Sequence, residues 1–74
     1  MRLKIDEDAD ALHLQLVDVP VEESEEVAPG VIVDYDDSNH VVGVELLYLS
    51  KRPNPINLSD FQFDTKPKKI STTS

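Results

Sequence analysis

Residues 31–49 read VIVDYDDSNHVVGVELLYL, and this stretch decides the fold. Its first part, residues 31–36, is rich in the β-branched and aromatic side chains that favour strands. Residues 37–40 are turn-forming, and Asn39 is the one best suited to a positive φ. The remainder is the longest apolar run in the chain. We therefore predict a β-hairpin over residues 31–49, with its turn at residues 37–40.

The second strand of this hairpin carries apolar side chains on both faces. Because side chains alternate along a strand, one face holds Val42, Val44, Leu46 and Tyr48, and the other holds Val41, Gly43, Glu45, Leu47 and Leu49. A small antiparallel sheet usually leaves one face in water. We expect another element, from this chain or from a second copy, to cover Ile32, Leu47 and Leu49.

Another hairpin is predicted near the N-terminus. Leu3 and Ile5 alternate with polar residues, and Leu12, Leu14 and Leu16 do the same after the turn-forming residues 8–10. This period-two pattern predicts a hairpin over residues 3–16 with one strongly apolar face.

The remaining segments are less regular. Residues 22–26 read EESEE between Pro20 and Pro29, which favours a loop or a short exposed strand. Two prolines at residues 53 and 55 end the sheet, and Phe61 and Phe63 then alternate with polar residues. This second pattern predicts either a fifth strand or an arm that packs both rings on a neighbour. Residues 66–74 are predicted to be a frayed tail.

Together these patterns predict a mainly β protein, a small antiparallel sheet of two hairpins. Residues 1–52 are expected to form a single sheet domain, and residues 53–74 a C-terminal arm and tail that packs on the sheet or on a second copy. The alternative is an α+β fold with a short helix near residues 50–52 or in the Glu-rich segment. The predicted core consists of Leu3, Ile5, Leu12, Leu14, Leu16, Val31, Val33, Tyr35, Val42, Val44, Leu46 and Tyr48.

Charge is unevenly distributed along the 74 residues. Residues 1–50 hold thirteen Asp and Glu against two Lys and Arg, a net charge of −11, whereas residues 51–74 carry a net charge of +3. An acidic body repels phosphate backbones, so we expect no nucleic-acid partner. The N-terminus becomes acidic at residue 6, unlike a signal peptide, and no run approaches the ~18 apolar residues of a membrane span. A cytoplasmic protein without a membrane partner is expected, and the absence of cysteine fits that location.

Several strings, taken in order, resemble a known family. They are DEDADAL (residues 6–12), ESEEVAPGVIVDYD (residues 23–36), VGVELL (residues 42–47) and SKR (residues 50–52). In order and spacing they resemble domain-of-unknown-function family 2283 of small bacterial and archaeal proteins. The chain departs from it at His13, where the family usually has an aromatic residue, and at Asn39-His40, where it usually has a turn glycine. The resemblance implies a compact sheet domain in a prokaryotic cytoplasm and supplies no activity.

The acidic clusters do not form a recognisable metal site in the sequence. Asp6, Asp8 and Asp10 have the spacing that opens an EF-hand loop, but Ala11 replaces the required glycine and Val17 the closing glutamate. A second set, Asp34, Asp36, Ser38 and Glu45, has strands rather than helices on its flanks. We predict neither a metal site nor a cofactor.

Catalytic signatures are also missing from the pattern. Hydrolysis by a nucleophile needs a base beside a Ser or Thr and a group that orients that base. His13 is expected mid-strand on the exposed face and His40 in a turn, and no serine stands in a motif. We therefore predict a protein that is not an enzyme.

A self-associating interaction domain is the function that the sequence favours. The predicted interface, which buries against a second copy in a dimer, consists of Ile32, Leu47, Leu49, Phe61 and Phe63. The alternative is an acidic, antitoxin-like partner that neutralises a basic protein, for which the charge of −11 over residues 1–50 is suited.

Overall fold

The computed structural model describes residues 1–69 of the chain. It contains five strands and one short 3₁₀ helix, in the order β1 (Arg2–Asp6), β2 (Ala11–Gln15), β3 (Glu23–Ala28), β4 (Val31–Tyr35), β5 (Val41–Leu46) and the 3₁₀ helix (Leu49–Lys51). All neighbouring strands are antiparallel, in the spatial order β1-β2-β5-β4-β3. The mainly β prediction is confirmed. Within residues 1–69 no helix is long and apolar enough to cross a membrane.

Both predicted hairpins are present, and their turns depend on residues that tolerate a positive φ. Asp10 ends the β1–β2 turn at φ 55°, and Asn39 lies in the β4–β5 turn at φ 65°, as its residue type predicted. The Asp36 carboxylate accepts hydrogen bonds from the backbone N–H groups of Ser38 and His40. The bond from His40 in particular holds the pKa of Asp36 below its ordinary value.

The fifth strand lies elsewhere than the sequence pattern around Phe61 suggested. It is the Glu-rich segment Glu23–Ala28, which pairs with β4 through a Pro29–Gly30 turn. Glutamate has a low strand propensity, but β3 is an edge strand on which every residue is exposed, and charged side chains are common on such edges. Residues 60–69 belong to no strand, so the predicted fifth strand at Phe61–Phe63 is wrong.

Strand β5 ends earlier than predicted. Its ladder stops at Leu46, and after the Leu47 N–H donates to the Gly30 carbonyl the chain turns at Tyr48, whose φ is 55°. The left-handed conformation cannot continue a strand. The 3₁₀ helix that follows is close to the position given in the alternative α+β prediction.

Asp10 joins this 3₁₀ helix to the β1–β2 turn, which lies at the same end of the sheet. The Asp10 carboxylate accepts bonds from the Ser50 backbone N–H at 3.0 Å and the Ser50 hydroxyl at 2.7 Å. The Leu49 N–H donates to the Asp10 carbonyl, and the Leu49 side chain is completely buried. The turn at Tyr48 therefore exposes the tyrosine and encloses the leucine.

The strand register separates the side chains into two faces. The apolar face is defined by Leu3, Ile5, Leu12, Leu14, Val31, Val33, Val42, Val44 and Leu46. The polar face, on the other side, carries among others Lys4, His13, Ser24, Ile32, Asp34, Gly43 and Glu45.

The core is much smaller than predicted. Within residues 1–69 the buried apolar side chains are Ala11, Val42 and Leu49. Of the twelve predicted core residues, only Val42 is buried, and Tyr48 is 61% exposed. The other predicted core residues are half-buried, because the sheet has a single layer and its apolar side chains are covered mainly by their neighbours in that layer.

Candidate interaction surface

The apolar face of the sheet is not fully covered by other parts of the chain. Eight of its nine side chains are only half-buried, and they form a continuous patch because cross-strand partners such as Leu14 and Val44 are direct neighbours. Soluble monomers rarely expose contiguous apolar patches larger than a few hundred Å². A patch that covers four strands is typical of a protein–protein contact.

The surface area of the chain supports this interpretation. Its accessible surface is 6394 Å². A compact monomer of 8.3 kDa is expected to expose about 4,600 Å². The Cα radius of gyration is 15.7 Å, against about 11 Å for a compact chain of this length. The exposed apolar face and an extended C-terminal segment both add to the surface.

That C-terminal segment, residues 53–69, is called the arm here, and it covers one half of the apolar face loosely. Phe61 and Phe63 line an open cavity of about 800 Å³ together with Met1, Leu3, Ile5, Leu12 and Leu14. The sheet residues in this cavity come from β1 and β2. The two rings remain 60% and 68% exposed. The arm therefore approaches the β1–β2 half of the face without closing it.

The β4–β5 half of the apolar face has a different border. Val33 and Val44 are half-exposed there, and β3 forms the outer edge. Glu25 lies directly opposite Val33 and Glu23 opposite Tyr35, so both glutamates project on the apolar side of the sheet. This half is thus an apolar surface with an acidic rim.

The polar face is occupied by a hydrogen-bonded cluster that spans four strands. The Ser24 hydroxyl donates to one oxygen of the Asp34 carboxylate at 2.6 Å, and His13 Nε2 lies 3.4 Å from the other. Asp34 reaches from β4 across β5 to β2, over Gly43. A Cβ at Gly43 would lie 3.0 Å from that Asp34 oxygen and 3.3 Å from His13 Nε2. The glycine therefore leaves room for the side chains to meet, and a larger residue would press on both.

The order of these three groups determines what the cluster can do. A nucleophilic serine needs a base in contact with its hydroxyl. Here the carboxylate lies between Ser24 and His13, so the hydroxyl donates to Asp34 and does not contact the imidazole. Asp34 is 8% exposed, and the contacts satisfy a carboxylate that would be costly to bury alone. In the described residues, no three His, Cys, Asp or Glu side chains are grouped to hold a metal ion.

The five residues of the sequence-predicted interface are not brought together. Ile32 is half-buried on the polar face opposite Glu45, and Leu47 is half-buried just beyond β5. Leu49 is fully buried within the chain and has no surface left for a partner. Phe61 and Phe63 approach the apolar face on the other side of the sheet. Only these two phenylalanines lie beside the exposed apolar patch.

Sequence reasoning assigned the apolar face to the core and did not identify it as a partly exposed surface. The signal was available, since a sheet with one apolar face and no amphipathic helix has little of its own to cover that face. The Ser24–Asp34–His13 cluster was missed as well. Gly43, in the middle of a strand, was its one indication, because a strand glycine often marks a close approach.

Of the comparisons with known proteins, one identifies a family. Neither a curated protein nor a solved structure matches the chain. The model of a family described as "Protein of unknown function (DUF2283)" matches residues 2–50, which include all five strands and the residues that bond to Asp10. The match ends before the arm. The chain therefore belongs to the DUF2283 family of proteins of unknown function.

Proposed function

We propose that the protein is a non-enzymatic interaction domain that associates with a second copy through its apolar face. The observation that carries this proposal is the incomplete burial of eight apolar side chains on one side of a single-layered sheet. Two such sheets can pack face to face at about 10 Å and enclose the core that one sheet lacks. The function then belongs to the dimer and to the surfaces that the dimer presents.

The available area is sufficient for such an association. A standard interface buries about 800 Å² on each partner. The chain exposes roughly 1,800 Å² more than a compact monomer of its mass, and the apolar face and the extended arm share this surplus. Small domains below about 70–80 residues commonly depend on oligomerisation when disulfides are absent. This chain has 74 residues and no cysteine.

A second candidate, an acidic partner for a basic protein, is favoured by a different observation. Glu23, Glu25 and Glu26 are exposed along edge strand β3, and Glu22 is exposed directly before it. Such a row would attract a basic surface, and the attraction would weaken with salt. Binding through the apolar face has the opposite property, since it persists at high salt. The salt dependence therefore separates the two candidates.

Two neighbouring residues on β4 offer a matched test of the main proposal. Val33 points to the apolar face and lies opposite Glu25, whereas Ile32 points to the polar face and lies opposite Glu26. Lysine at either position adds the same charge to the same strand beside a glutamate. Light scattering coupled to gel filtration measures the mass of each variant in solution.

We expect the unmodified chain and Ile32→Lys to be dimers, and Val33→Lys to dimerise about 100-fold more weakly or not at all. The reason is that two-fold symmetry would bury the Val33→Lys charge twice in the interface. Circular dichroism confirms that each variant is folded. A monomeric unmodified chain, or equal masses for the two variants, would contradict the proposal.

A further inference from the structure

The two halves of the apolar face are unlike, and the difference suggests how two copies fit together. The β1–β2 half has the arm above it, with Phe61 and Phe63 at an open cavity. The β4–β5 half has an acidic rim formed by Glu23 and Glu25. A two-fold axis parallel to the strands would place the β1–β2 half of one copy over the β4–β5 half of the other. Each arm-bearing half then meets a half that has no arm.

The arm and the acidic rim also have opposite charges. After the two phenylalanines the arm continues to Lys66, Lys68 and Lys69, which are exposed. Among residues 1–69, no Lys or Arg forms an ion pair with an Asp or Glu of that range. The same chain therefore carries a basic segment and an acidic edge that do not meet within one copy.

The reach of the chain favours contact with the second copy. Strands are about 4.8 Å apart, so the two outer strands of a five-stranded sheet are separated by about 19 Å. The six residues from Phe63 to Lys69 span at most about 20 Å when fully extended. Because the two rings lie over β1 and β2, three to four strand spacings from β3, the arm would have to extend for most of its length to reach its own β3. In the two-fold arrangement the β3 edge of the second copy lies beside it.

We infer that the arms are exchanged between the two copies. Phe61 and Phe63 of one copy pack against the β4–β5 half of the other, and Lys66, Lys68 and Lys69 lie along Glu23 and Glu25 of that copy. The apolar contacts supply the binding free energy, and the charge pairs select the orientation, since exposed ion pairs contribute little on their own. This inference rests on the proposed dimer and specifies its partner surface.

Two charge-reversal variants test the exchange. The edge variant is Glu23→Lys/Glu25→Lys, and the arm variant is Lys66→Glu/Lys68→Glu/Lys69→Glu. Alone, each variant places like charges against each other at both contacts of its dimer, so we expect its Kd to rise about tenfold at low ionic strength. In a one-to-one mixture each arm of one variant faces the complementary edge of the other. The mixture should therefore form heterodimers with close to the original Kd.

General charge attraction cannot produce that rescue, because the two variants have net charges of −4 and −14, against −8 for the unmodified chain. The triple variant Lys4→Glu/Lys51→Glu/Arg52→Glu is the matched control for the arm variant. It has the same net charge of −14 but changes basic residues outside the arm. We expect its Kd to rise much less. Sedimentation velocity at low salt and at 0.5 M NaCl measures all five samples, and high salt should remove the differences.

The outcomes distinguish this inference from the proposed function. If the unmodified chain is monomeric, both are overturned. If it is a dimer and the arm variant behaves like its control, the dimer stands and the exchanged arm is wrong. If both variants are weakened but their mixture is not rescued, each arm contacts its own copy, which also overturns the exchange. Rescue on mixing supports it.

Discussion

The two faces of the sheet differ in how far residues of the same chain bury and pair their side chains. On the polar face, the Asp34 carboxylate is paired with Ser24 and His13, and Gly43 leaves the room for it. On the apolar face, eight side chains are only half-buried, and the arm covers part of them. Residues of the same chain bury and pair the charged group on the polar face, whereas they leave the apolar face partly open.

This difference shows that the burial and pairing of side chains can be assessed separately for each face. A buried polar group is satisfied by two or three specific bonds, which a single layer can supply. An apolar face is stabilised in proportion to the area removed from water, about 25 cal/mol per Å², and a single layer cannot remove that area. The short chain therefore satisfies its buried polar groups, which need few contacts. It leaves its apolar face partly uncovered, because covering that face requires a large contact area.

The largest expected effects contrast Leu49 with Leu14. Leu49 is fully buried within the chain, so Leu49→Ala should lower the free energy of unfolding by about 2–5 kcal/mol at any protein concentration. Leu14 lies on the apolar face and is half-exposed in one copy. Leu14→Ala should therefore lower the free energy of unfolding less at protein concentrations well below the dimer Kd, and more at concentrations well above it. Urea unfolding at both concentrations measures the two costs.

The contrast between Leu49 and Leu14 is contradicted if Leu14→Ala lowers the free energy of unfolding equally at both protein concentrations. That result would mean that no second copy covers the apolar face. If instead Leu49→Ala becomes concentration-dependent, the 3₁₀ helix contributes to the contact and the two faces are not independent. Circular dichroism of each variant before urea is added confirms that the comparison begins from a folded chain.

The hairpins could be predicted from the sequence because their signal is local. Leu12 and Leu14 alternate with polar residues, and Asn39 suits a positive φ, so a few neighbouring residues determine each element. Strand β3 was less certain because Glu23–Glu26 disfavour strands on their own. Its formation depends on the ladder to β4, including the Ser24–Asp34 pair, which is a tertiary contact.

The burial of Leu49 could not be predicted from local pattern. Simple alternation placed it on the strand after Leu47, and nothing nearby indicates that Tyr48 adopts a positive φ. The turn is stabilised by Asp10, which binds Ser50 from a position 40 residues earlier. The same limit applies to the Asp34 cluster, whose three members come from three strands that are separated along the sequence.

An intermediate effect is expected where the polar face is most crowded. Gly43→Ala should lower the free energy of unfolding by about 1–3 kcal/mol, because the added Cβ would press on the Asp34 carboxylate and on His13. In a His13→Ala chain the same change should cost less, since the carboxylate can shift into the space of the ring. Urea unfolding of the four chains gives the coupling between the two positions. Light scattering should show the same dimer for all four.

Equal costs of Gly43→Ala with and without His13 would mean that the cluster does not limit the space at Gly43. The close Leu14 carbonyl, 3.3 Å from the added Cβ, would then be the cause. A loss of the dimer in Gly43→Ala would contradict the independence of the two faces. It would show that the two faces of the sheet are coupled through β5.

The smallest expected effect lies in the β4–β5 turn and involves neither face. The backbone N–H of His40, followed by that of Ser38, lowers the pKa of Asp36 from its ordinary value of 3.8. Because the pKa is lower in the folded chain than in the unfolded chain, the contribution of Asp36 to stability is present above pH 3.8 and is lost as the pH falls through the folded pKa. Asp36→Asn should therefore be slightly less stable at neutral pH, and the difference in urea midpoint should disappear in acid. A difference that stays constant with pH would contradict the lowered pKa. The dimer Kd of the two chains should agree at neutral pH, because the turn lies outside the apolar face that we expect the second copy to cover.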